Sequence, residues 1–323
     1  MRSARWILAL SLLSALGLAS AQISLSIASG GTGGVYYPVG GGYAQIIDQF
    51  VDGYTASVEA TNASVDNVAF ISRGDADLAL ALADTVLAAY AGTGRFGPEG
   101  NLPQLANLRA LTVAYTNAVH IITIDGSGIE SLQDLVGKRV SVGAPGSGTE
   151  LSAQAILNAV GITYDDFQVE RLSANETADA LRDGSIDAGF WSGGVPTGAV
   201  LSLAETRQIK LVPVSDEEFA AINAASPTLI RYVYPEGAYR GIAETASVGT
   251  PNLLIVAAEM DEELAYQFTK NLFEHVRVVQ AIHPSANETV PESALASPIP
   301  LHLGAIRALE ELGLTVPDRL KVD

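Results

Sequence analysis

Five short polar loops, each placed after an apolar run, carry the residue types that could do chemistry in this chain. Thr32, Gly33 and Tyr36 follow the run 23–28. Asn62, Ala63 and Ser64 follow 55–60, and Asp84 follows 78–83. Gly146, Ser147, Gly148, Thr149 and Glu150 come after 140–144, and Trp191, Ser192 and Gly193 close a run that begins at Ala188. Glycine lets backbone come close to a ligand, and hydroxyls donate hydrogen bonds. Free amides at a helix start, with the positive end of its dipole, hold carboxylate or phosphate without a basic side chain. None of the five loops contains Lys or Arg. The set therefore suits a small carboxylate held at the helix that starts near Thr149. Ser64, Asp84 and Thr149 suit plain helix capping equally well. Asp84 or Glu150 would accept from a ligand amino group, or serve only as a cap or first-turn acid. Tyr36 and Trp191 would cover ligand carbons, and both also fit as core fillers.

Other chemistries find little support. The stretch Gly31-Thr32-Gly33-Gly34 lacks the third spaced glycine of a dinucleotide loop, and no Gly-Lys-Ser/Thr ending occurs. His120, His275, His283 and His302 show no metal-ligand spacing, and no Gly-x-Ser-x-Gly elbow is present. No catalytic residue, metal or cofactor is assigned on this reading. An enzyme on the same scaffold, with Asp84 or Glu150 as general acid or base, is the alternative from a different class.

The loops need elements to position them, and the hydrophobic periodicity supplies a repeated strand, loop, helix order. Strands are expected at 23–28, 55–60 and 78–83, with helices at 37–51 and 64–73 between them; such crossovers make the strands parallel. A second cycle runs from Ser131 through strands at 140–144, 168–172, 188–191 and 209–214, with helices at 150–160 and 174–182. Two apolar segments, 108–124 and 248–257, are long for ordinary strands, and a long helix is expected over 261–282. The expected architecture is α/β and two-lobed. Residues 22–115 and 248–323 form a discontinuous first lobe, residues 116–247 form the second, and Tyr115–Thr123 with Val248–Val256 act as a two-strand hinge that closes on ligand.

Composition bounds the partners. Residues 1–21 have a secretory leader's form, with Arg2 and Arg5, an apolar stretch from Trp6 to Leu18, and Ala19-Ser20-Ala21 as a cleavage site. An exported, periplasmic or otherwise extracytoplasmic chain is expected, with no stable membrane insertion after cleavage. The chain has no Cys, so neither a disulfide nor a lipid on sulfur is available. A formal net charge of −18, more negative once the leader's two arginines are gone, repels nucleic acid and anionic lipid.

The same loops, in order, resemble the TAXI-type solute receptors of tripartite ATP-independent periplasmic (TRAP) transporters. GGTGGVYYPVG (30–40), ATNASVDNV (60–68), GKRVSVGAPGSGTE (137–150), DALRDGSIDAGFWSGGVPTGAV (179–200) and PEGAY (235–239) carry the resemblance, which spans essentially the whole mature chain. It implies a periplasmic-binding-protein fold of the second type, no catalysis, and a TRAP membrane permease driven by an ion gradient. The ligand implied is glutamate or a related amino or dicarboxylic acid. This chain departs from the pattern at Leu82, where relatives often carry Gln two residues before the aspartate, and that departure suits a less polar ligand, such as an oxo or branched acid, as the alternative. A receptor for an ATP-driven importer shares the fold and differs in its membrane partner.

Overall fold

The computed structural model describes residues 22–98 and 100–321; the expected leader lies outside them. The first half begins β1 (Ile23–Ala28), α1 (Tyr36–Phe50), β2 (Tyr54–Glu59), α2 (Ser64–Arg73), β3 (Leu78–Leu82) and α3 (Ala83–Ala91). β1 pairs in parallel with both β2 and β3, as expected for strands separated by helices. β3 is buried at all five positions, which is why it reads as a continuous apolar run with no alternation.

The middle of the chain holds β4 (Leu108–Ile124), β5 (Arg139–Ser141), α4 (Gly148–Ala159), β6 (Gln168–Glu170), α5 (Ala174–Asp183), β7 (Ala188–Gly193), α6 (Gly198–Thr206), β8 (Ile209–Leu211), α7 (Asp216–Ala225) and β9 (Ile230–Tyr234). It then returns through β10 (Thr245–Ala257), α8 (Glu262–Glu274), α9 (Arg277–Gln280) and α10 (Leu303–Glu311). The hydrogen-bonded order is β2-β1-β3-β10-β4-β7-β5-β6. Each end repeats one arrangement: three parallel strands in the order second, first, third, then a long antiparallel strand. For β2-β1-β3 that strand is β10, and for β6-β5-β7 it is β4.

β4 and β10 do more than link two sheets. They pair with each other from Gly249↔Ala118 to Ala257↔Leu108. Beyond that overlap, β4 continues against β7 and β8, while the start of β10 lies against β9. The sheet path is therefore unbroken, and both long strands belong to two neighbourhoods. The buried side chains divide along the same line. Two clusters gather β1–β3, α1–α3 and the C-terminal helices around Ile27, Tyr43, Leu80 and Phe268. Two others gather Ile121, Val140, Phe190 and Leu203.

Two local expectations change. The helix expected over 261–282 ends at Glu274, and the chain bends before α9. The bend brings Val279 and Ile282 against Gly42 of α1, where a Cβ would fall 2.6 Å from Ile282 Cδ1. α3, α6, α7, β9 and α10 lie where the hydrophobic periodicity predicts no element. α7 starts at a capping box in which Ser215 and Glu218 satisfy each other's backbone amides.

Candidate functional site

A cavity of about 230 Å³ lies where loops from the two halves meet. Four helices begin on its wall: Tyr36 opens α1, Ser64 opens α2, Gly148 opens α4 and Ala174 opens α5, and all four residues line it. The first amides of a helix have no intrahelical acceptor, so four positive dipole ends meet here, with N–H donors left open only where no cap or neighbouring carbonyl takes them. No Asp, Glu, Lys, Arg or His lines the cavity among the described residues. Its electrostatic character comes from backbone and neutral side chains.

The loops are held by buried polar staples. Asn67, fully buried, donates from Nδ2 to Ser29 O at 2.6 Å and Leu80 O at 2.7 Å, and accepts from Thr61 Oγ1 at 2.7 Å. One side chain thus ties together the ends of β1, β2 and β3. Thr61 Oγ1 in turn accepts from Ala63 N at 2.9 Å. Ala63 sits at φ 77°, ψ −143°, a conformation nearly reserved for glycine and worth on the order of 1–3 kcal/mol of strain. Tyr36 Oη donates to Asn252 Oδ1, and Asn252 Nδ2 donates to Tyr115 O at 2.9 Å, which fixes the ring from β10. Burial keeps the Tyr36 hydroxyl well above its ordinary pKa, so it stays a neutral donor.

On the opposite side, Ser147 caps α4 by accepting from Glu150 N at 3.2 Å, and Thr149 Oγ1 accepts from Ser192 N at 3.2 Å. Trp191 is held from behind by His120. His120 Nδ1 lies 3.1 Å from both Ala118 O and Trp191 O, so it carries the proton. Its Nε2 accepts from Tyr239 Oη at 2.7 Å, and Tyr239 Oη accepts from Thr197 N at 2.8 Å. Burial pushes the His120 imidazole down to about 4, which leaves it neutral at physiological pH.

The halves touch closely around the cavity. A Cβ on Gly148 would fall 2.6 Å from Ser64 Oγ and 2.7 Å from Leu82 Cδ1, so only glycine permits the two helix starts to approach. Val65 N and Asp66 N, near the start of α2, donate to Gly146 O at 3.2 and 3.3 Å. α2 has no side-chain cap of its own, and its orphan amides are satisfied from the other half. Ala199 N donates to Gly33 O at 3.2 Å.

Twelve of the sequence-derived site residues reach the wall: Thr32, Gly33, Tyr36, Asn62, Ala63, Ser64, Ser147, Gly148, Thr149, Trp191, Ser192 and Gly193. Three do not. Gly146 is spent on capping α2. Glu150 points away and pairs with Arg171 at 2.7 Å and Arg95 at 3.3 Å. Asp84 accepts from Thr85 N at 2.6 Å and from Ser152 Oγ at 2.6 Å, and burial raises its carboxyl pKa. Neither acid is free to meet a ligand amino group.

The wall also holds Thr61, Asn117, Ser173 and Asn175. Asn117 is the single amide in the apolar run of β4, a signal visible in the sequence. Ser173 and Asn175 stand after β6 in the same strand-to-helix position as the other loops, marked by the capping box Ser173/Glu176.

The profile of the NMT1-like family matches residues 27–313. Among solved structures, a protein of Bordetella bronchiseptica RB50 aligns at 17% identity over 90% of this chain and 82% of its own, with a TM-score of 0.52. A Listeria monocytogenes protein described as a candidate L-cystine ABC transporter aligns at 12% identity over 81% and 96%, with a TM-score of 0.51. The periplasmic aliphatic sulphonate binding protein of Escherichia coli aligns at 15% identity over 91% and 80%, with a TM-score of 0.45. At such identities likeness speaks to the fold, which is the two-lobed α/β fold of periplasmic solute-binding proteins.

Proposed function

This chain belongs to the NMT1-like family, and from that premise we propose that it is an exported receptor that captures a small organic anion between two lobes and hands it to a membrane transporter. The observation that carries the reading is the convergence of four helix starts on a cavity that no charged side chain lines among the described residues. Such a site attracts negative charge through fixed dipoles and amide donors, which reconciles anion capture with a net charge of −18. Residues 22–115 with 248–323 form one lobe and 116–247 the other, with β4 and β10 as the connecting strands. Residues 1–21 act as the export leader. No helix among the described residues is long and apolar enough to cross a membrane.

Binding without turnover is favoured over catalysis because Asp84 and Glu150, the acids an enzyme would use, are engaged away from the wall. The ligand contacts we assign are Thr32, Tyr36, Ser64, Ser147, Gly148, Thr149, Trp191 and Ser192. Two membrane partners fit. The ordered motifs support a TRAP permease driven by an ion gradient, while the likeness to a candidate L-cystine ABC transporter favours an ATP-driven importer as the second reading. Glutamate, the ligand implied by the TAXI resemblance, loses support because, among the described residues, no carboxylate lines the wall to meet its ammonium group. A thermal-shift screen of small carboxylates tests the receptor reading: at 100 times its dissociation constant a ligand adds about 2.7 kcal/mol of stability. Stabilisation by neutral sugars or cations alone refutes it.

A further inference from the structure

Just past the wall residues Trp191, Ser192 and Gly193, the chain is gripped from two sides. From its own half, Thr197 Oγ1 donates to Gly194 O at 2.6 Å, and Thr197 N donates to Tyr239 Oη at 2.8 Å. From the other half comes the C-terminal segment 283–285. Ser285 Oγ accepts from Val195 N at 3.1 Å and donates to Val195 O at 3.3 Å, so one hydroxyl meets both backbone groups of a single residue. His283 Nδ1 accepts from Ser285 N at 3.1 Å, which leaves the proton on Nε2, and Nε2 donates to Pro196 O at 2.9 Å.

Packing assigns the two sides of this contact to different halves. Ile282, before the segment, meets Gly42 of α1, and Ala286, after it, is fully buried in the cluster that holds Ile27, Tyr43 and Phe268. Val195 packs instead with the cluster of Leu203 and Tyr239. The fit is close: a Cβ on Gly194 would fall 2.7 Å from Ser285 Oγ. His283 and Ser285 do not line the cavity. What they hold is the backbone that leads out of the wall.

We infer that His283 and Ser285 are positioning residues, a clasp from one half that holds the strand end bearing Trp191, Ser192 and Gly193 at the cavity and slows release of solute without touching it. The inference rests on the two-lobed receptor reading. Trp6 leaves with the leader, so Trp191 is the single tryptophan of the leader-free chain and its emission reports on this wall. Stopped-flow emission reads binding and release, with pyruvate, 2-oxoisocaproate, 2-oxoglutarate, succinate and glutamate as probes. Ser285→Ala should speed release of every probe that binds by about fivefold, and by the same factor for each, while association and the ligand-free melting point stay nearly unchanged. His283→Ala should act in the same direction, and His283→Gln, which keeps an N–H donor for Pro196 O, should recover part of the loss. An unchanged release rate in both Ser285→Ala and His283→Ala overturns the clasp and leaves the receptor reading standing. A factor that differs from probe to probe also overturns it, because Ser285 would then touch the solute. A parent chain whose emission and melting point respond to none of the probes overturns both.

Discussion

Ser152 Oγ donates a 2.6 Å hydrogen bond to Asp84 Oδ2, joining α4 of one half to the first turn of α3 in the other. The contact buries a carboxylate with no basic side chain bonded to it. Burial raises the Asp84 pKa, against the opposing effects of its bonds from Ser152 and Thr85; the Tyr36 hydroxyl lies close enough to feel its charge. On the hinge proposed above, separation of the halves would break the Ser152 bond and return the carboxyl to water. Closing thus takes up a proton between the ordinary and the raised value, and acid favours the closed form.

In the two-lobed receptor proposed above, ligand affinity should therefore rise as the solution is made more acid, for a ligand whose own charge stays constant. Asp84→Asn should bind with a flatter profile. Calorimetry at four pH values on both chains checks this, and parallel profiles would remove Asp84 as the source.

His120 sets a second pH dependence, this one in stability. Its pKa is pushed down to about 4 from the ordinary 6.5, chiefly by burial, so the unfolded chain takes up a proton where the native chain does not. The stabilisation is complete above pH 6.5 and is lost as pH falls toward 4, by up to about 3 kcal/mol. His302, also lowered by burial, adds a contribution of the same sign. Urea unfolding between pH 7 and 4 should show a shallower loss in His120→Gln than in the parent, even where the variant is less stable at pH 7.

Gly33 faces Asn175 across the cavity, and a Cβ there would fall 2.2 Å from Asn175 Oδ1 and 2.6 Å from its Cγ. Gly33→Ala should weaken ligand binding at least tenfold, about 1.4 kcal/mol, while the ligand-free melting point changes little. The pair Gly33→Ala with Asn175→Gly should recover part of the loss. Strict additivity of the two single effects would exclude direct contact as the cause.

Much of this molecule was legible because its signals are local. The run 108–124 announces a strand of unusual length, and β4 has those bounds. Ser64 to Arg73 carries its own apolar period and ends at Gly74, which takes the left-handed conformation at the helix C-terminus. Glycine-rich turns after apolar runs led to the wall. What stayed hidden depends on distant partners. Asp84 suits a cap and a ligand contact equally, and the choice is made by Ser152, 68 residues away. β6 is only three residues long and has no buried position, so the wall residues after it follow no apolar run. Nor did local sequence reveal that β4 and β10 pair along their shared length, because register between strands so far apart is set by packing.

Gly146 O, by receiving the amides of Val65 and Asp66, adds two hydrogen bonds that last only while α2 and the loop before α4 stay together. In the receptor proposed above, opening must break both bonds, so they lengthen the stay of a solute held between the halves.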